Sequence, residues 1–350
     1  MGRWAMPFML ALAVGCIAPL MPPEEFPEDP IAFVHWTRKA ASKRTSILEK
    51  ADDPAAPARG VGDSDQAREG ERRAYLAGEV SLAIQQKLAK YPGRLSLVWP
   101  RTGEIEPVEA APVGSIPLAW SSDHQRLLFA TDHRGGKEQL YEYHVGRKEL
   151  RRITMGPDEH PRGDYASDGG FLVLRVQDSG GSGPSQTTVH RADPAGRLGP
   201  PIAYDVPRGT LRLTSDGSRM VYEQVRTRKR RAGPSILEST IAVRSLEAGA
   251  PEEMLLRGRE PALSPDGHWI VFASKSSAGY RLRRMRPDGT ARVPIGPGGT
   301  EERMPSVSPD GEYVVFVQMS QGKRTLVVRR FDGKGERNLV SKGSSEFPVW

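Results

Sequence analysis

The sequence predicts an all-β fold: a six-bladed β-propeller of four-stranded antiparallel blades, closed by its N- and C-terminal segments, with a helical insert in the first blade. Three observations predict it. A turn-plus-strand phrase recurs along the chain, each repeat has room for about four short strands, and the C-terminus ends on a lone inner strand.

The phrase is plainest in "PALSPDGHWIVFASK" (residues 261–275) and "PSVSPDGEYVVFVQM" (residues 305–319). Ser-Pro-Asp-Gly is a turn. Proline presets φ, aspartate bonds its own backbone, and glycine accepts positive φ. The strand after it is apolar on both sides: Trp269, Val271 and Ala273 on one, Ile270, Phe272 and Ser274 on the other. That pattern fits a strand buried between two layers and not a helix. Weaker spellings occupy residues 117–132, 163–178 and 210–225. The turn aspartates Asp123, Asp168, Asp216, Asp266 and Asp310 follow one another at intervals of 45, 48, 50 and 44 residues. Periods in this range mark propellers or solenoids, and the strand content selects the propeller.

One unit reads in full. "PLAW" is an inner strand, "QRLLFAT" a second, "QLYEYHV" a third and "KELRRIT" an outer one. In the last unit "FDGKG" is the hairpin turn before the outer strand. The chain then ends "SEFPVW", matching "IPLAW" at residues 116–120. Trp350 is expected where Trp120 sits, with Phe347 and Trp350 closing the ring. "PIAFVHW" (30–36) and "GRLSLVWPRTGEIEPV" (93–108) supply the rest of that composite blade. Closure removes exposed strand edges.

These phrases resemble the repeats of TolB-type propellers, above all "ATDHRGGKEQLYEYHVGRKELRRITMGPDEHP" at residues 130–161. The resemblance covers about residues 116–350 and implies a propeller that binds other proteins. TolB carries a mixed α/β domain before its propeller, and residues 1–113 lack such a pattern, so a stand-alone propeller is expected. Similar blades precede peptidase domains of the prolyl oligopeptidase type. No Gly-x-Ser-x-Gly elbow occurs in the sequence.

Residues 1–16 read as a signal peptide: one arginine, then an apolar stretch too short to span a membrane. It ends at Cys16, the sole cysteine. "LAVGC" resembles a bacterial lipoprotein signal, which makes Cys16 a candidate lipidation site. Residues 17–29, rich in proline and glutamate, form a tether. Residues 30–350 are the propeller, with an insert at 37–92. In that insert residues 51–70 are polar and expected to be disordered. Leu76, Val80, Ile84 and Leu88 make one helical stripe over residues 71–90, and residues 37–50 suggest a short helix. A single cysteine allows neither an internal disulfide nor a thiolate metal site.

Lysine plus arginine total 50 against 43 acidic residues, a net charge of +7. The basic concentration is "VRTRKRRAG" (225–233), where Arg226, Arg228, Lys229, Arg230 and Arg231 form a candidate docking loop between two strands of one blade. No zinc-finger spacing, recognition helix or stacking platform accompanies it, so nucleic acid is not an expected partner. The histidines are His35, His124, His133, His144, His160, His190 and His268, and none has His-Glu-x-x-His spacing. Asp158, Glu159 and His160 read as turn chemistry. The expectation is no metal, no cofactor and no catalytic residue. The favoured function is a non-catalytic protein-interaction scaffold of the bacterial periplasm or outer membrane. It would be monomeric, lipid-anchored and bound to an envelope protein. The alternative is a channel-face enzyme or a propeller that binds a small molecule or carbohydrate.

Overall fold

A computed structural model describes residues 21–43, 46, 92–132, 136–178, 185–228, 236–247, 251–277, 279–320 and 323–350. Six four-stranded antiparallel sheets account for nearly all regular structure among them. Blade I is composite. Its chain-order strands β1 (Ile31–Trp36), β2 (Arg94–Val98) and β3 (Ile105–Pro107) are completed by β24 (Ser344–Val349), which pairs with β1. Blade II holds β4 (Ile116–Trp120), β5 (Arg126–Thr131), β6 (Gln139–His144) and β7 (Glu149–Arg152). Blade III holds β8 (Glu159–Tyr165), β9 (Phe171–Gln177), β10 (Gln186–Ala192) and β11 (Leu198–Tyr204). Blade IV holds β12 (Leu211–Leu213), β13 (Arg219–Arg228), β14 (Ile236–Ser245) and β15 (Glu252–Arg257). Blade V holds β16 (Arg259–Leu263), β17 (Ile270–Ser276), β18 (Gly279–Met285) and β19 (Val293–Pro294). Blade VI holds β20 (Glu301–Val307), β21 (Tyr313–Ser320), β22 (Lys323–Arg330) and β23 (Glu336–Val340).

The first strand of each sheet touches the first strand of the next, β4 to β8 to β12 to β16 to β20 to β24 and back to β4. Those six strands form the hub. The second strands are the most buried because blades pack on both faces: Ile270, Val271, Phe272 and Ala273 of β17 are at most 1% exposed. Apolar clusters fill the interblade layers. Ile31, Phe33 and Val98 of blade I pack with Val315, Leu326 and Val328 of blade VI. Ala32, Leu95 and Leu97 pack with Leu127, Phe129 and Trp120 of blade II. Each fully buried side chain of this kind contributes about 1.5–3 kcal/mol, so the composite blade is held from both sides.

The recurring turn has one hydrogen-bonding scheme. Ser121, Thr214, Ser264 and Ser308 each donate a hydroxyl to the aspartate two residues on, at 2.5 Å. The same hydroxyl accepts the backbone N–H that starts the second strand, at 2.9–3.0 Å. The aspartate also accepts an amide two residues beyond itself. Blade III has Ala166 in the hydroxyl position, and there Asp168 keeps the Gly170 amide at 3.0 Å. The Thr214 hydroxyl, the largest cause, and the Ser218 donors hold the Asp216 carboxyl down at about 2.

Trp120 and Trp350 stand at the ends of neighbouring hub strands. The Trp120 indole N–H donates to the Val349 carbonyl at 3.1 Å, and the Trp350 amide donates to Ser306 Oγ at 3.1 Å. The Trp350 ring lies 6.1 Å from Tyr313. One C-terminal strand is thus fastened to blade II and to blade VI.

Of the insert, residues 38–43 are helical, and the expected helix at residues 71–90 lies outside the described residues. Cys16 also lies outside them. No helix among the described residues is long and apolar enough to cross a membrane.

Candidate functional site at the propeller hub

The hub holds an open cavity of about 190 Å³. The inner segment of every blade contributes to its lining, among these residues Pro117, Arg162, Thr210, Glu260, Met304 and Phe347. The chain places them in two different ways.

On blades V, VI and I the residue has positive φ: Glu260 at 54°, Met304 at 53° and Phe347 at 54°. Non-glycine residues adopt this left-handed region uncommonly. Each precedes a proline, Pro261, Pro305 or Pro348, and in blades V and VI the residue falls within a register shift against the second strand. Such bulges re-aim a side chain, here into the hub. The re-aimed groups bind one another across blades. Glu223 Oε2, on β13, accepts the Glu260 N–H at 3.0 Å. Glu260 Oε2 accepts the Met304 N–H at 2.8 Å. The Met304 sulfur accepts the Phe347 N–H at 3.4 Å.

Two arginines lock the carboxylates of this wall. Arg259 Nε donates to Glu223 Oε1 at 3.0 Å. Arg303 grips Glu260 with two bonds, Nη2 to Oε1 at 2.5 Å and Nε to Oε2 at 3.0 Å. Its guanidinium also lies 4.5 Å from the Tyr280 ring centre. Burial works to raise the Glu260 carboxyl, but Arg303 and the Met304 amide outweigh it and the group ends below its ordinary range. Arg303 is pushed up, because the attraction of Glu260 exceeds the cost of burial.

The wall from blades III and IV is different. Arg162 and Arg212 line the cavity, and neither makes an ion pair within 4.0 Å among the described residues. Arg162 Nη1 donates to the Pro161 carbonyl at 2.6 Å. Arg212 Nη1 reaches across to the Leu118 carbonyl of blade II at 2.6 Å, with Leu211 O at 3.4 Å. Burial lowers both guanidinium pKa values. The acids that act on them from a distance are Glu138, on Arg162, and Asp164, on Arg212, and burial pushes both carboxyls up. Asp164 spends its oxygens on the amides of Leu213 at 2.8 Å and Tyr165 at 2.9 Å.

The residues singled out from the sequence lie mainly elsewhere. Phe347 lines the cavity; Trp350 and the five turn aspartates do not. Arg226 sits on β13 with its side chain paired to Glu252 at 2.6 Å. Arg228 ends the same strand, while Lys229, Arg230 and Arg231 lie outside the described residues. Asp158, Glu159 and His160 do not converge. Asp158 pairs with Arg175, Glu159 with Arg208, and His160 Nδ1 meets Gln139 Oε1 at 3.2 Å. Burial lowers His160 to about 4. No group of three or more metal-ligating side chains occurs among the described residues. The hub charges were missed, although Arg-Glu-Pro, Arg-Met-Pro and Glu-Phe-Pro recur at 259–261, 303–305 and 346–348.

Similarity to known proteins follows the fold. TolB from Acinetobacter baumannii superposes with a TM-score of 0.60 at 16% identity, covering 92% of this chain and 66% of that one. A putative TolB from Agrobacterium tumefaciens gives 0.54 at 21% identity, over 70% of this chain and 87% of the other. Hydrazine synthase of Kuenenia stuttgartiensis gives 0.59 at 14% identity, over 93% and 47%. In sequence, the uncharacterized peptidase YuxL of Bacillus subtilis (strain 168) is 25% identical over 221 residues, 61% of this chain. The chain spans 29% of that relative's length. No family model matches.

Proposed function

We propose that this chain is a non-catalytic interaction scaffold of a bacterial envelope, a TolB-like propeller held at a membrane by a lipid on Cys16. The observation that carries the reading is the cross-blade tying of the hub. Glu223, Glu260, Met304 and Phe347 link four successive blades through side-chain acceptors and backbone donors. A hub fastened in this way keeps the loops at its mouth in fixed relative positions, as a docking platform requires. The carboxylates of the tied wall are committed to Arg259 and Arg303. A general acid or base needs a group free to exchange protons with a substrate, which favours binding over catalysis for that wall.

The loops from each outer strand to the next inner strand surround the same end of the hub. Met155, in one of them, is 72% exposed. A photo-crosslinking residue at Met155 should trap one discrete envelope protein in living bacteria. A smear identical to that from a crosslinker at Arg197, on the outer part of blade III, would remove the docking face. The intact mass of the mature chain from membranes tests the anchor: an acylated Cys16 at the N-terminus supports it, and an unmodified chain cut elsewhere rejects it.

A further inference from the structure

Two arginines at the hub have cavity in front of them and no ion-paired acid beside them. A guanidinium carries five N–H donors. The hydrogen bonds of Arg162 and Arg212 use one nitrogen on each, toward backbone carbonyls only. The two side chains come from successive blades and share the cavity. Carboxylates on the opposite wall do not compete for them, because Glu223 and Glu260 are taken by Arg259 and Arg303. The remaining lining is largely apolar, including Leu118, Leu211, Met304, Phe347 and Val349.

We propose that the hub is a receptor site for a small carboxylate with an apolar body, its carboxylate held by Arg162 and Arg212. Guanidinium and carboxylate match as planar groups, and charge-assisted bonds between them are about twice as strong as neutral ones. An apolar body gains by contact with Leu211, Met304 and Phe347, in the usual pattern of a mostly apolar pocket with few convergent polar groups. The volume of about 190 Å³ suits a ligand the size of a substituted benzoate. A phosphate dianion fits less well. It would be stripped of water against apolar walls, and burying excess charge is costly. A cation would meet the exposed donors of both arginines. The site goes beyond the scaffold reading and stands whether or not a protein docks outside the hub.

Calorimetric titration of the full chain with benzoate, benzamide and sulfate tests it. Benzoate should bind, with benzamide and sulfate each at least tenfold weaker. Arg162→Met and Arg212→Met should each weaken benzoate at least tenfold, while Arg197→Ala leaves it unchanged. Circular dichroism reports whether the variants fold. If they do not, the benzoate and benzamide comparison on the unchanged chain decides. Equal binding of those two, undiminished benzoate binding by both folded variants, or no benzoate binding at millimolar concentration would overturn the site. Sulfate binding as tightly as benzoate would overturn the apolar half of the specificity.

Discussion

The two walls of the hub show how one repeat can be used for opposite ends. On blades V, VI and I, left-handed residues before prolines turn Glu260, Met304 and Phe347 inward, and the Glu260 carboxylate and the Met304 sulfur each accept the backbone N–H of the next blade's residue. On blades III and IV, Arg162 and Arg212 also point inward, but their charges are left without an ion-paired acid. The first wall ties the ring. The second offers unspent donors to the cavity. Breaking a buried pair leaves an uncompensated charge and costs about 3–5 kcal/mol, whereas removing a charge that had no close partner need cost little.

The largest effect should come from ending the chain at residue 343. This removes β24, which supplies Phe347 and Val349 to the cavity, anchors Trp120 through the Val349 carbonyl, and completes blade I. Both walls should be lost together, with no cooperative thermal transition in scanning calorimetry. A truncated chain melting at the original temperature would refute closure by β24.

Next comes Glu260→Gln, which leaves Arg303 without its two-bond partner. A loss of about 3–5 kcal/mol in denaturant unfolding is expected. The two walls should also respond to pH with opposite signs. The Glu260 carboxyl lies below its unfolded value of 4.5, so its contribution is complete above that value. It is lost as pH falls through the folded pKa. The Asp164 carboxyl lies above its unfolded value of 3.8. Between the two values the folded chain keeps a proton the unfolded chain has released, so stability falls as pH rises through that window. Glu260→Gln should therefore flatten the acid limb of the stability profile. Asp164→Asn should flatten the decline on the other side of it. Parallel profiles for the two variants would erase the distinction.

The smallest effects belong to the turns. Asp310→Ala removes bonds to Ser308 and Glu312 and should cost about 1 kcal/mol. Asp168→Ala, which loses only the Gly170 amide bond, should cost less. Urea titrations of the two variants rank them, and the reverse order would contradict the hydroxyl's part in the turn.

The ring was legible in the sequence because the signals for it are local. A hydroxyl, an aspartate and a glycine at fixed offsets, followed by a strand apolar on both faces, specify turn and interblade strand within about 12 residues. Trp120 and Trp350 have adjoining anchor points, at the Val349 carbonyl and the Ser306 hydroxyl. The hub was not legible in the same way. Arg162 and Arg212 occupy non-equivalent positions in units whose repeat is weakly spelled, and they meet only because the ring curls blade III beside blade IV. Arg303 and Glu260 are 43 residues apart, so no window of one strand contains the pair. The prolines after Glu260, Met304 and Phe347 are written three times in the sequence, but their consequence, a left-handed residue aimed at the axis, depends on the inner strand's register against the second strand. In the basic run at 226–231, Arg226 pairs with Glu252.

The most direct test sets one arginine from each wall against the other. Arg303→Met and Arg162→Met delete the same group from the same hub, and guanidinium chloride unfolding measures both. The account predicts a loss of about 3–5 kcal/mol for Arg303→Met, which strands the Glu260 carboxylate. It predicts a change within about 1 kcal/mol for Arg162→Met, which strands no ion-paired acid. Equal losses, or a greater loss at Arg162, would show that the two walls are bound alike and that the unspent donors do not exist.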